Sequence, residues 1–184
     1  MKKFSPVVFI LVLCLSLCSC AENSGKRTYK VYDTAGTDAV EIKLNNVSFE
    51  KEHYVSYQNT TVSAQSGHTF VIIDFSLKNI GKEKLGYFRT VYKDYTYLPS
   101  SIVSIDYNDG YTYVVDETAD SYNFSLCYDY PTLDMLEPLG SAETYTTVIS
   151  VPDEVVENTD ASLFINFHLD NSKGRTEIVT YTIR

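Results

Sequence analysis

The chain lacks tryptophan entirely, is short of basic residues, and has no apolar run long enough to cross a bilayer. Fifteen Lys and Arg face twenty-four Asp and Glu, a net charge of −9 over 184 residues. That balance excludes nucleic acid as a partner, because phosphate backbones demand Lys/Arg stripes. It also opposes adsorption of the whole domain to anionic headgroups. No Gly-x-Ser-x-Gly elbow, His-Glu-x-x-His helix or Gly-rich phosphate loop occurs, so catalysis has little support. The three histidines, His53, His68 and His168, are not spaced as metal ligands. Neither a metal nor a cofactor is expected. What is present, 44% hydrophobic and 21% charged residues, is an ordinary globular balance that excludes a disordered tail or a multi-span membrane protein.

The amino terminus has its own logic. Lys2 and Lys3 precede an apolar run over residues 7–17, a signal-peptide core too short for a spanning helix of about 20 residues. It ends in Leu17-Cys18-Ser19-Cys20, which resembles a bacterial lipobox, with Cys20 as the lipidated first residue of the mature chain. Ordinary cleavage near Ala21 is the plainer alternative. Removal of residues 1–19 leaves 165 residues, 13 basic and 24 acidic, and a net charge of −11. Such a length is about one domain, able to bury roughly 70% of its unfolded surface. A thioether-linked diacylglycerol supplies two acyl chains, enough for stable anchoring. Of the four cysteines only Cys127 would then remain, so no intrachain disulfide can form.

Residues 20–38 are polar and small, without a sustained period, and read as a tether. From residue 39 to 184, alternation of period two recurs and helical period hardly at all. In residues 69–78, Val71, Ile73, Phe75 and Leu77 share one face; Phe70, Ile72, Asp74 and Ser76 form another that grades from apolar to wet. In residues 162–170, Leu163, Ile165, Phe167 and Leu169 oppose Asn166, His168 and Asp170. Residues 122–130 alternate through Tyr122, Phe124, Leu126, Tyr128 and Tyr130. Further strands are expected over residues 40–50, 144–151 and 177–183. The phase of the first slips at Asn45-Asn46, which predicts a bulge. Short strands with polar turns indicate an all-β, immunoglobulin-like β-sandwich. The one helical turn expected lies in residues 132–137.

One hairpin is legible to the residue. Residues 101–107 and 111–116 flank Asn108-Asp109-Gly110. A two-residue loop would set Val103 opposite Asp116. A three-residue loop pairs Tyr107 with Tyr111, Ile105 with Tyr113 and Val103 with Val115, and every member of that face is apolar or aromatic. The pattern selects the longer loop, with Gly110 expected at positive φ in a G1 bulge.

The segment from Gly67-His68-Thr69-Phe70-Val71-Ile72-Ile73-Asp74 through Lys78-Asn79-Ile80-Gly81 resembles the signature of a bacterial lipoprotein domain family of unknown function. Pro138-Leu139-Gly140, followed by Val148-Ile149-Ser150-Val151-Pro152, is similar to its second landmark, with Leu139 inserted between Pro and Gly. The resemblance spans about residues 40–184 and implies a telokin-like, immunoglobulin-type sandwich in an extracytoplasmic lipoprotein. It brings no catalytic residues.

Sixteen tyrosines are the unusual feature, ten of them between residues 87 and 130. Tyr87, Tyr92, Tyr95 and Tyr97 fall in a mixed segment over residues 86–99, bracketed by Gly86 and Pro99. A tyrosine ring offers an apolar face and a polar tip, suited to protein recognition or stacking on sugars. Packing over a sheet edge is the plain alternative. Asp106 to Gly110 with Glu117 misses the spacing of a calcium loop, since the glycine stands fifth, not sixth. Asp116, Glu117 and Asp120 could offer oxygens to a cation, although a charge run of this kind is usually a solvated connection. Cys127 lies between Ser125 and Asp129 on the polar face of its expected strand, where an inert small residue is the simpler reading than a nucleophile.

The expected function is therefore non-catalytic binding of a protein or glycan at the cell envelope, from a membrane-anchored module. The alternatives are an accessory protein with hydrolytic activity and a structural spacer. Substrate capture for transport is disfavoured, since it usually needs two lobes and a longer chain.

Overall fold

In the computed structural model, residues 27–55, 59–85, 102–114 and 136–184 are described. The strands are β1 (Thr28–Tyr29), β2 (Thr34–Gly36), β3 (Val40–Glu50), β4 (Glu52–Val55), β5 (Thr60–Ser63), β6 (His68–Asn79), β7 (Val103–Tyr107), β8 (Tyr111–Val114), β9 (Glu143–Pro152), β10 (Leu163–Asp170) and β11 (Thr176–Thr182). One short helix, α1 (Asp153–Glu157), follows β9. Asp153 and Glu154 in its first turn suit the positive end of the helix dipole, and Val155 anchors it in the core.

The strands form a β-sandwich. One sheet runs β1-β11-β10-β7-β8, the other β2-β3-β6-β9, and β4 pairs with β5 as a separate hairpin. All pairings are antiparallel except β1 with β11. The inward alternates fill a shared core: Val71, Ile73, Phe75 and Leu77 from β6 and Leu163, Ile165, Phe167 and Leu169 from β10 are all buried. The Phe167 ring lies 5.0 Å from that of Phe75 and meets Tyr181 edge-on at 5.7 Å, so the aromatics bridge the sheets. The Tyr181 hydroxyl shares its proton between the Asp33 and Ile42 carbonyls at 3.0 and 3.1 Å, tying β11 to the opposite sheet. Burial pushes that phenol well above its ordinary pKa.

Two ends can be distinguished. At the lower end, Val40 pairs with Asn79 and Asp170 with Thr176. There Thr37 Oγ1 donates to the Asp170 carbonyl at 2.9 Å, and Asp38 accepts from both the backbone N–H and the hydroxyl of Ser172. At the upper end, Glu50 pairs with Phe70, the β7–β8 turn lies beside Ser162, and Asn158 donates to the Tyr107 hydroxyl.

The expected strands over residues 40–50, 69–78, 144–151, 162–170 and 177–183 are present within a residue of their bounds. The β3–β6 register shifts between Leu44 and Asn46, where the bulge was expected. The tether reading is corrected for residues 28–36. Thr28 and Tyr29 pair with Thr180 and Tyr181, and Thr34 to Gly36 pair with β3, so these residues belong to the sheets. Gly36 is required there: at φ +150°, a Cβ would stand 2.0 Å from the Val40 carbonyl oxygen.

The hairpin register is as expected, with Tyr107 opposite Tyr111 and Ile105 opposite Tyr113. The φ assignment is corrected. Asn108 (φ 48°) and Asp109 (φ 51°) take the left-handed conformation, and Gly110 does not. Both residue types tolerate that region, so two consecutive left-handed residues make a type I′-like turn closed by Gly110 N–H to the Tyr107 carbonyl at 3.4 Å. Residues 122–130 and most of 132–137 lie outside the described residues; Leu136 bridges to Leu85.

Candidate functional site

The outward face of the five-stranded sheet carries a polar row beside two apolar side chains, Phe164 and Ile178. Register places Asp106 of β7 beside Thr112 of β8 and Phe164 of β10, with Asn166 one step along and Thr180 of β11 beyond it. Their side chains form one line of hydrogen bonds. Thr112 Oγ1 donates to Asp106 Oδ1 at 2.8 Å, Asn166 Nδ2 donates to Asp106 Oδ2 at 2.6 Å, and Thr180 Oγ1 donates to Asn166 Oδ1 at 2.8 Å. Asn166 is 3% and Thr180 1% exposed, so these bonds are largely shielded from water and hold their groups rigidly.

Over this line lies an open groove of about 620 Å³, bounded by Thr28, Asp106, Asp109, Gly110, Tyr111, Thr112, Phe164 and Thr180. Tyr111, 60% exposed at the rim, turns its ring to the other face of the strand, against Tyr107, with centroids 6.2 Å apart. Phe164 supplies the groove with a half-buried ring. Each Asp106 oxygen accepts one internal bond and retains acceptor capacity, while Thr112 and Thr28 carry exposed hydroxyls. Nearby, burial is the main cause raising the Tyr113 phenol, so it stays protonated near neutrality. A ring for stacking, an oriented carboxylate and hydroxyls are the chemistry of polyol recognition. Two aspartates disfavour a polyanion.

Farther down this face, His168 Nε2 lies 3.1 Å from Ser104 Oγ. Ser104 is buried, so its hydroxyl is closed to an incoming carbonyl. His53 sits on β4 opposite Val62, and His68 opens β6 beside Asp153. The three histidines are thus apart, and among the described residues no group of His, Cys, Asp and Glu is placed to hold a metal ion. Asp153 is held well below the ordinary carboxylate range by hydrogen bonds from Lys51 and Thr69. It links the β3–β4 corner to β6 and serves the fold.

Chains of the same architecture are known from solved structures. An uncharacterized β-sandwich protein from Clostridium difficile 630 matches over 89% of this chain and all of its own, at 22% identity and a TM-score of 0.51. A conserved hypothetical protein from Bacillus anthracis matches over 83% of this chain and 96% of its own, at 15% identity and the same TM-score. The likeness is one of fold. No family model and no curated protein matches the sequence.

The candidates chosen from sequence fall elsewhere. Cys20, Tyr87, Tyr92, Tyr95, Tyr97, Asp116, Glu117, Asp120 and Cys127 lie outside the described residues. Sequence reasoning missed Asp106, Thr112, Phe164 and Thr180 as a group. The hairpin register already opposed Asp106 to Thr112, and Asn166 was on the outward face; what sequence lacked was that β7, β10 and β11 are neighbours.

Proposed function

We propose that this chain is an extracytoplasmic lipoprotein, held to the cell membrane by diacylglycerol on Cys20. Its sandwich acts as a non-catalytic module that binds a neutral or amino-sugar glycan of the envelope. The observation that carries the reading is the groove, where Phe164 lies on the same face as a carboxylate already oriented by Thr112 and Asn166. The lipobox at Leu17 to Cys20 supports the location, and the resemblance of residues 67–81 to a lipoprotein domain family supports the same reading.

The test is titration of the purified protein with soluble cell-wall glycan fragments, followed by calorimetry and by NMR of the β7–β8 turn. Phe164→Ala and Asp106→Asn are expected to abolish binding. Binding that survives both substitutions would refute the groove.

A further inference from the structure

The two ends of the sandwich differ in a way the groove does not explain. The lower end presents apolar side chains at its turn tips: Leu139 is 81% and Ile80 40% exposed. The two are neighbours, because the Leu139 N–H donates to the Asn79 carbonyl at 3.2 Å. Leu139 also holds φ at +57°, a conformation that costs a non-glycine residue about 1 kcal/mol or more. A strained leucine turned into water stabilises nothing within the domain.

This end is rigidly built. Asn79, fully buried, donates to the Glu83 and Leu136 carbonyls at 2.7 and 2.8 Å and accepts from Gly81 N–H at 2.9 Å. The tips are therefore fixed in place. Around them stand exposed Lys82, Lys173 and Arg175. Glu83 is exposed beside Lys82, whereas four other nearby acids are engaged within the fold: Asp38 by Ser172, Glu137 by Lys84, Asp170 by Thr176 and Glu177 by Asn171. The upper end is the reverse, with Asp109, Glu154, Glu157 and Asp160 exposed.

Chain direction decides which end meets the membrane. Because β1 runs parallel to β11, with Thr28 level with Thr180, β1 begins on the side of Thr176 and the lower end. Cys20 is eight residues before Thr28, at most about 28 Å when fully extended. Four residues of strand, about 13 Å, separate the level of Thr180 from that of Thr176. The anchor thus reaches at most about 15 Å past the level of Thr176, and less past the turn tips beyond it.

We propose that the lower end rests on the bilayer, with Leu139 and Ile80 entering the headgroup layer and Lys82, Lys173 and Arg175 meeting lipid phosphates. The groove, on the outer face of the five-stranded sheet beside the β7–β8 turn, then lies toward the end away from the membrane. This rests on the lipid-anchor reading of Cys20.

The experiment uses the full-length, natively processed protein in vesicles of phosphatidylglycerol and phosphatidylethanolamine, with Cys20→Ala protein in solution as reference. Hydrogen exchange is followed by mass spectrometry. Slower exchange over residues 80–84, 138–140 and 171–175, with residues 64–67 and 108–110 unchanged, is the expected result. Leu139→Asp should abolish that slowing while the protein still floats with the vesicles. Vesicle-bound protein with unchanged exchange at residues 138–140, or slowed exchange at residues 108–110, would overturn the docking and leave the anchor standing. Cys20→Ala protein that is still processed and retained in the membrane fraction would overturn the anchor, and the docking with it.

Discussion

On the four-stranded sheet, Phe70 and Ile72 point away from the shared core and join Val62 and Val148 in a second, smaller apolar cluster. On the five-stranded sheet the corresponding outward side chains are Asp106, Asn166 and Thr180, bonded to one another across three strands. The first face is closed by the chain itself: β4 and β5 fold back as a hairpin and bring Val62 onto it. Among the described residues the second face meets its hydrogen bonds within the sheet, and a groove borders it. An outward apolar face demands a cover, whereas an outward polar face can be satisfied and still be available to a ligand.

The largest effect should come from below both faces. Phe167→Ala opens a cavity between Phe75 and Tyr181 and should cost about 3–5 kcal/mol. Urea denaturation should show both sheets lost in one transition. Ile72→Ala separates the faces. It should cost about 2–3 kcal/mol, at the lower part of the range for such truncations because the hairpin can settle into the space. Hydrogen exchange should quicken in β4 and β5 while the line through Asp106 stays protected. Equal quickening on both faces would break the distinction.

Asn166→Ala attacks the other face. It leaves Asp106 Oδ2 without its donor and Thr180 Oγ1 without its acceptor, a loss of about 1–3 kcal/mol. The hairpin over Phe70 should be unaffected, and glycan binding should fall with the loosened Asp106. If stability drops but binding holds, the line of bonds is structural only.

This contrast was half legible in the sequence. Alternation marked Phe70, Ile72, Asn166 and His168 as outward, because period two needs only neighbouring residues. The β3 bulge and the β7–β8 pairing were legible for the same reason. Strands β1 and β2 were not: two and three residues long, they exist through distant partners, Thr180 to Tyr181 and Glu41 to Lys43. Helix α1 was hidden because Pro152 reads as the end of a strand and five residues carry no helical period. The groove needs β7 beside β10 and β10 beside β11, contacts more than fifty residues apart in the first case.

A smaller effect is expected at the corner that seats the hairpin side. Lys51 Nζ donates to Asp153 at 2.5 Å, and Thr69 Oγ1 donates to the same oxygen at 2.7 Å. Together they hold the carboxyl below its ordinary value of about 4, so the charged form stabilises the native state above that pH. The contribution is lost as pH falls through the lowered folded value. Lys51→Met should therefore be less stable than the native chain at pH 7, and the gap should close below about pH 4. A gap independent of pH would assign the loss to the lysine stem instead.

The smallest effect concerns the turn at the groove rim, where sequence chose the right register and the wrong residue. Gly110 is not at positive φ, and a Cβ added to it would meet only the Asn108 carbonyl oxygen, at an ordinary 3.8 Å. Gly110→Ala should change stability by no more than about 0.5 kcal/mol, as an unremarkable surface substitution. The strain lies at Asn108 and Asp109, whose side chains tolerate the left-handed region better than a branched residue does. Asn108→Val should cost about 1–2 kcal/mol, and Asp109→Gly should cost nothing beyond its added chain entropy. The ordering Asn108→Val well below Gly110→Ala, measured by thermal melts, supports two consecutive left-handed residues. The reverse ordering would restore the bulge at Gly110 and shift Tyr111 relative to the groove it borders.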